Sequence, residues 1–141
     1  MSCCPNDLLA LAQTLGDVEG CSEAQLRCAT SRGYYSALHA LIETIPPVPG
    51  VERYRDEGSH AFIIRCAQRY SQGANPGRLD AAKIVLAMKR LKDQRCKADY
   101  ELDLDYELRE KDDALKRVNA VFNYCDSLRA AIAVQRAQAS R

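Results

Sequence analysis

Apolar positions recur with helical spacing over most of the chain. Leu8, Leu11, Ala12 and Leu15 open the pattern after a cap at Asn6 or Asp7, and Gly16 and Gly20 close it, which predicts a short first helix. Ser22 with Gln25 three positions later is a capping box, and Tyr34, Leu38, Leu41, Ile42 and Ile45 then form one stripe ending at Pro46-Pro47. A loop rich in Pro and Gly runs to Gly58. Ser59 is placed to cap a third helix through Phe62, Ile63, Cys66, Ala67 and Tyr70, closed by Gly73. After the turn Asn75-Pro76-Gly77, Ile84, Met88 and Leu91 define a fourth stripe, and its next turn lands on Arg95. From Asp99 to Leu108 the period drops to two: Tyr100, Leu102, Leu104, Tyr106 and Leu108 alternate with acids, which predicts an extended connector laying its apolar edge on the bundle. Leu115, Val118, Val121, Phe122, Cys125, Leu128 and Ile132 carry a long last helix with a frayed tail after Gln135. The expected architecture is all-α, an antiparallel bundle of four to five helices in a single domain over residues 1–141.

Composition narrows the function classes. The 141 residues are 47% hydrophobic and 28% charged, which excludes a disordered chain, and a net charge of +1 singles out neither nucleic acid nor membrane as partner. Seven cysteines, several inside helical stripes, read as reduced thiols. No apolar run reaches bilayer length and no secretory leader pattern is present, so a cytoplasmic protein without membrane contact is expected. Charge is uneven locally. Residues 78–97 hold seven basic and two acidic side chains, net +5, and residues 98–113 hold eight acidic and two basic, net −6. The basic stretch reads as a phosphate-binding face or as the neutralising partner of the acids, with the second reading slightly favoured.

Polar residues in line with the core are the candidates for chemistry. On the second helix Arg32, Tyr35 and His39 fall within an arc of about 60° beside the apolar stripe. Arg95, Asp99 and Tyr100 end the fourth helix pattern, and His60 opens the third. The plainest account is an Arg95–Asp99 pair at i,i+4 with amphipathic edge residues around it. The acidic row from Asp99 to Glu110 has the spacing of a calcium loop, but Leu104 stands where that loop needs Gly. No C-x-x-C pair or phosphate-cradling Gly loop occurs, so no metal or cofactor is expected.

The run Ser31–Ala40 (SRGYYSALHA) resembles the signature second helix of HEPN domains, the higher eukaryote and prokaryote nucleotide-binding family. The run Arg95-Cys96-Lys97-Ala98-Asp99-Tyr100, followed by an acidic connector and a long final helix, is similar to one branch of that family with an R-x-x-A-D-Y motif. The resemblance spans residues 22–130. It implies a helical bundle, usually a homodimer, in toxin–antitoxin, antiviral-defence or stress systems, often encoded beside a nucleotidyltransferase. Many members are metal-independent ribonucleases with a His four to six residues beyond the motif Arg. Here Cys96 follows Arg95, no His occurs after His60, and Tyr100 stands at the His position. The expected function is therefore an RNA- or nucleotide-binding or interaction module, with Arg32, Tyr35, Arg95 and Asp99 as binding residues. The alternatives are a metal-independent endoribonuclease using Arg95, Tyr100, His39 or His60, and a structural partner of a nucleotidyltransferase. Metal-free RNA cleavage needs a group near neutral pKa and a cation for the phosphorane, and Arg95 supplies only the cation. The expected dimer brings the polar seams of two chains to a shared cleft.

Overall fold

The computed structural model describes residues 2–141. Five helices follow in chain order: α1 (Pro5–Gly16), α2 (Glu23–Thr44), α3 (Ser59–Gln72), α4 (Arg78–Tyr100) and α5 (Leu108–Ala139), with no strand among the described residues. The all-α bundle is as expected. Helix α2 lies at its centre, packed on α1, α4 and α5, while α3 leans mainly on α4. The core joins Tyr34, Leu38 and Leu41 of α2 to Ile84, Met88 and Leu91 of α4 and to Val118, Val121, Cys125 and Leu128 of α5, all buried. Gly33 lets α5 side chains sit directly against the α2 backbone: a Cβ there would come within 2.7 Å of Leu115 Cδ2. No described helix is long and apolar enough to cross a membrane.

Several boundaries depart from the sequence pattern. The chain enters α1 at Pro5, with Cys4 as N-cap and the Asp7 carboxylate accepting the Cys4 N–H at 2.8 Å. Proline at the first helical position needs no hydrogen-bond partner for its nitrogen, so the cap sits earlier than Asn6 or Asp7. Ser22 caps α2 as expected, its hydroxyl accepting from the Gln25 N–H. Gly58, not Ser59, caps α3. Ile42 is exposed, because no neighbouring helix covers its edge of the α2 stripe. Helix α5 continues past Gln135 to Ala139.

The connector is the main correction. Helix α4 keeps its turns through Tyr100 and α5 begins at Leu108, so only Glu101–Glu107 lies between helices. Of its alternating apolar residues Tyr106 alone is buried. Leu102 is 70% exposed, and Leu104 and Leu108 also face solvent. The physical reason lies in Arg27, a buried α2 residue. Its guanidinium donates to the carbonyls of Lys97 and Ala98 at 3.0 Å, of Glu101 at 3.2 Å, and of Leu104. The same side chain sits 5.0 Å from the Tyr106 ring centre, and the Tyr106 hydroxyl donates to Thr30 Oγ1 at 2.8 Å. A cation at the C-terminus of α4 answers the orphan carbonyls and the helix dipole together, and it fixes the connector by its backbone rather than its leucines.

Candidate functional site

Of the seven sequence-selected residues, Tyr35, His60, Arg95 and Asp99 meet at the junction of α2, α3 and α4. Arg95 reaches it by continuing the Ile84–Met88–Leu91 face of α4, as the periodicity predicts, and is largely buried there. Its Nη2 donates to the Tyr35 hydroxyl at 2.9 Å, and its Nε lies 2.9 Å from Asp99 Oδ2. That second contact is an ion pair without hydrogen-bond geometry: Arg95 Nε is the one buried side-chain nitrogen or oxygen among the described residues that lacks a hydrogen-bond partner. Asp99 also accepts from the Ser31 hydroxyl at 3.2 Å.

Aromatic rings surround the guanidinium. Its central carbon is 5.6, 5.5 and 5.4 Å from the ring centres of Tyr34, Tyr35 and Tyr100. The electron-rich ring faces favour the cation where water is excluded. Burial alone would depress the pKa of Arg95, but the Tyr35 hydroxyl and the Cys96 thiol accept its hydrogen bonds and hold it above the ordinary arginine value. Burial pushes the Tyr34 phenol up to about 12, so it is protonated at neutral pH. His60 Nδ1 stands 3.3 Å from the Tyr34 hydroxyl. Burial, then the positive charges of Arg95, Lys92 and His39, drive the His60 imidazole below its usual range, which keeps it neutral near pH 7.

Tyr35 divides the site in two. On its far side from Arg95 a cleft of about 430 Å³ opens between α2 and the start of α1, lined among others by Arg32, Tyr35, His39, Glu43, Cys3 and Cys4. The Arg32 guanidinium carbon sits 5.5 Å from the Tyr35 ring centre, and His39 is exposed. Arg32, Tyr35 and His39 thus share the cleft, whereas Arg95, Asp99 and His60 do not line it. Tyr100 occupies neither place fully: it ends α4, 70% exposed, with only its ring near Arg95.

Two participants are absent from the sequence-based set: Tyr34 and Ser31. The signal for Ser31 was present, because Ser31, Tyr35 and His39 recur every fourth residue and so form one ladder along α2. Tyr34 reads from the pattern as core, which it is. Its hydroxyl contact with His60 depends on how α3 packs.

The charged stretches neutralise each other in part. Lys97 pairs with Glu110 and Arg95 with Asp99, but Lys89, Arg90 and Lys92 enter no ion pair among the described residues. No group of three or more His, Cys, Asp or Glu residues there could hold a metal ion. No family model matches this chain, and neither do the curated proteins or solved structures compared with it.

Proposed function

We propose that this chain is a HEPN-like RNA- or nucleotide-binding module that works as a cytoplasmic homodimer in a prokaryotic toxin–antitoxin or antiviral-defence system. The observation that carries the reading is the Arg95 cation at the edge of an open cleft: it is paired with Asp99 and donates to the hydroxyl of Tyr35, which lines the cleft. Tyr35 links that cation to a cleft carrying Arg32 and His39, a combination suited to phosphate oxygens and the face of a base. Lys89, Arg90 and Lys92 extend positive charge along α4 for salt-sensitive contact with a polyanion.

A second reading, a metal-independent endoribonuclease, is favoured by one fact. His60 is neutral near pH 7 and shares a cluster with Arg95, so a proton acceptor exists although not at the motif position. Against it, the Nδ1 of His60 is engaged by Tyr34, and no histidine follows His60 in the chain. The deciding experiment incubates the protein with labelled single-stranded RNA in EDTA and measures retardation and cleavage together. The binding reading expects retarded, intact RNA, weakened by raised salt and at least tenfold by Arg32→Glu or Arg95→Ala. EDTA-resistant cleavage lost in Arg95→Ala and His60→Gln would replace it by the ribonuclease. Silence in both assays would leave a structural partner of a nucleotidyltransferase.

A further inference from the structure

The cleft between α1 and α2 carries opposite charges at its two ends. Arg32, Tyr35, His39 and Glu43 all border it and fall within an arc of about 80° on α2, at 3.6 residues per turn. Eleven residues make very nearly three turns, so Arg32 and Glu43 project in the same direction about 16 Å apart along the helix axis. Neither enters an ion pair or a side-chain hydrogen bond among the described residues, and Arg32 lies over Tyr35, 5.5 Å from the ring centre. His39 is exposed between them, and Pro5 and Leu8 of α1 supply apolar wall. At about 430 Å³ the cleft has the size of a site for one small molecule.

The two ends select different parts of one ligand. A guanidinium with no carboxylate partner suits phosphate oxygens. A carboxylate only accepts, through two oxygens side by side, so its complement is a pair of adjacent N–H donors. Among the RNA bases guanine alone carries two adjacent donors on its Watson–Crick edge, N1–H and the N2 amino group. Adenine and cytosine set a ring-nitrogen lone pair beside their amino group, and uracil sets a carbonyl on each side of its single N–H. Each of these would turn a lone pair toward the carboxylate. Between the charged ends, the His39 ring and the apolar Pro5 and Leu8 suit the faces of a planar base. We infer that this cleft selects guanine nucleotides, with Glu43 accepting from the guanine Watson–Crick edge and Arg32 holding the phosphate. The inference rests on the binding reading above and adds to it the base that is read and Glu43 as the residue that reads it.

Calorimetric titration with GMP, IMP, AMP, CMP and UMP tests free nucleotides, and gel retardation compares an all-adenine RNA strand with the same strand bearing one central guanine. The guanine ligand should bind about tenfold or more tightly than the others, the worth of one bidentate base contact. IMP, which keeps N1–H but lacks the amino group, should fall between GMP and AMP. Glu43→Gln replaces one acceptor oxygen by a donor, so it should abolish the guanine preference and favour adenine, whose adjacent donor and acceptor match an amide. Arg32→Gln should weaken all the nucleotides alike and leave their ratios unchanged. Glu43 is exposed, so circular dichroism of its variant should match the parent. A preference among the mononucleotides assigns the site to a free nucleotide, and one seen only in the strand assigns it to a nucleotide within RNA; either supports the inference. RNA retarded with no guanine preference in either assay overturns the inference and leaves the binding reading standing. A guanine preference that survives Glu43→Gln also overturns it, and no binding of any nucleotide or strand overturns both.

Discussion

Replacing Arg27 by Ala removes a cation that makes five polar contacts at once. The Glu23 ion pair at 2.7 Å is the least of them: Glu23 is about half exposed, and an exposed i,i+4 pair is worth about 0.3–0.5 kcal/mol. The four carbonyls matter more. Those of Lys97, Ala98, Glu101 and Leu104 end α4 and shape the connector, and a hydrogen bond from a charged donor contributes about 1.5 kcal/mol or more. Water can reach some of them after truncation, so the full sum is not lost, and we expect about 3–5 kcal/mol, the range for breaking a buried charged network. In urea the midpoint should fall by about 2 M at an ordinary slope. Hydrogen exchange should accelerate first in residues 98–107, where those carbonyls lie. Glu23→Ala, which removes only the exposed pair, should cost less than about 0.5 kcal/mol. A loss below about 1 kcal/mol for Arg27→Ala, or unchanged exchange in the connector, would refute the view that this one side chain holds the segment.

Two other outcomes follow from the site. Arg95→Ala should destabilise by only about 1–2 kcal/mol in the same melts, because the Asp99 left behind is partly exposed and retains the Ser31 hydroxyl. His60 has a folded pKa below its unfolded value of 6.5, so the stability it contributes is complete above about pH 6.5 and is lost as pH falls through the lower folded value. The melting temperature should therefore drop between pH 7.5 and 5, and the drop should be smaller in His60→Gln. An equal drop in both would place the acid sensitivity elsewhere.

Helix identity was legible wherever local chemistry decides it. The Ser22–Gln25 box and the Asn75-Pro76-Gly77 turn act within a few residues of themselves, and both sit where the pattern put them. Gly77 takes φ +69°, and a Cβ there would press within 2.7 Å of Leu128 Cδ1, so the turn also fits against α5. The alternation from Asp99 to Leu108 misled for the opposite reason. Its leucines carry the period of a half-buried strand, yet the segment is fixed through main-chain carbonyls by Arg27, more than 70 positions away in sequence. A side chain that binds backbone leaves no trace in the hydrophobicity of the residues it binds. The site shows the same division: the register of Arg95 is readable along α4, whereas the placement of His60 behind Tyr34 depends on the packing of α3.

The contrast between the two buried arginines separates support from site. Both lie at the α2–α4 contact and both face aromatic rings, so burial and charge alone do not distinguish them. Their acceptors do. Arg27 spends its guanidinium on four fixed carbonyls and one carboxylate, and nothing in that arrangement would improve if a ligand arrived. Arg95 has side-chain partners only: the Tyr35 hydroxyl, the Cys96 thiol and the Asp99 carboxylate, the last as an ion pair of its Nε outside hydrogen-bond geometry. Arg95 thus touches Tyr35, a residue that lines an open cleft, whereas the guanidinium of Arg27 is saturated by the main chain it holds in place.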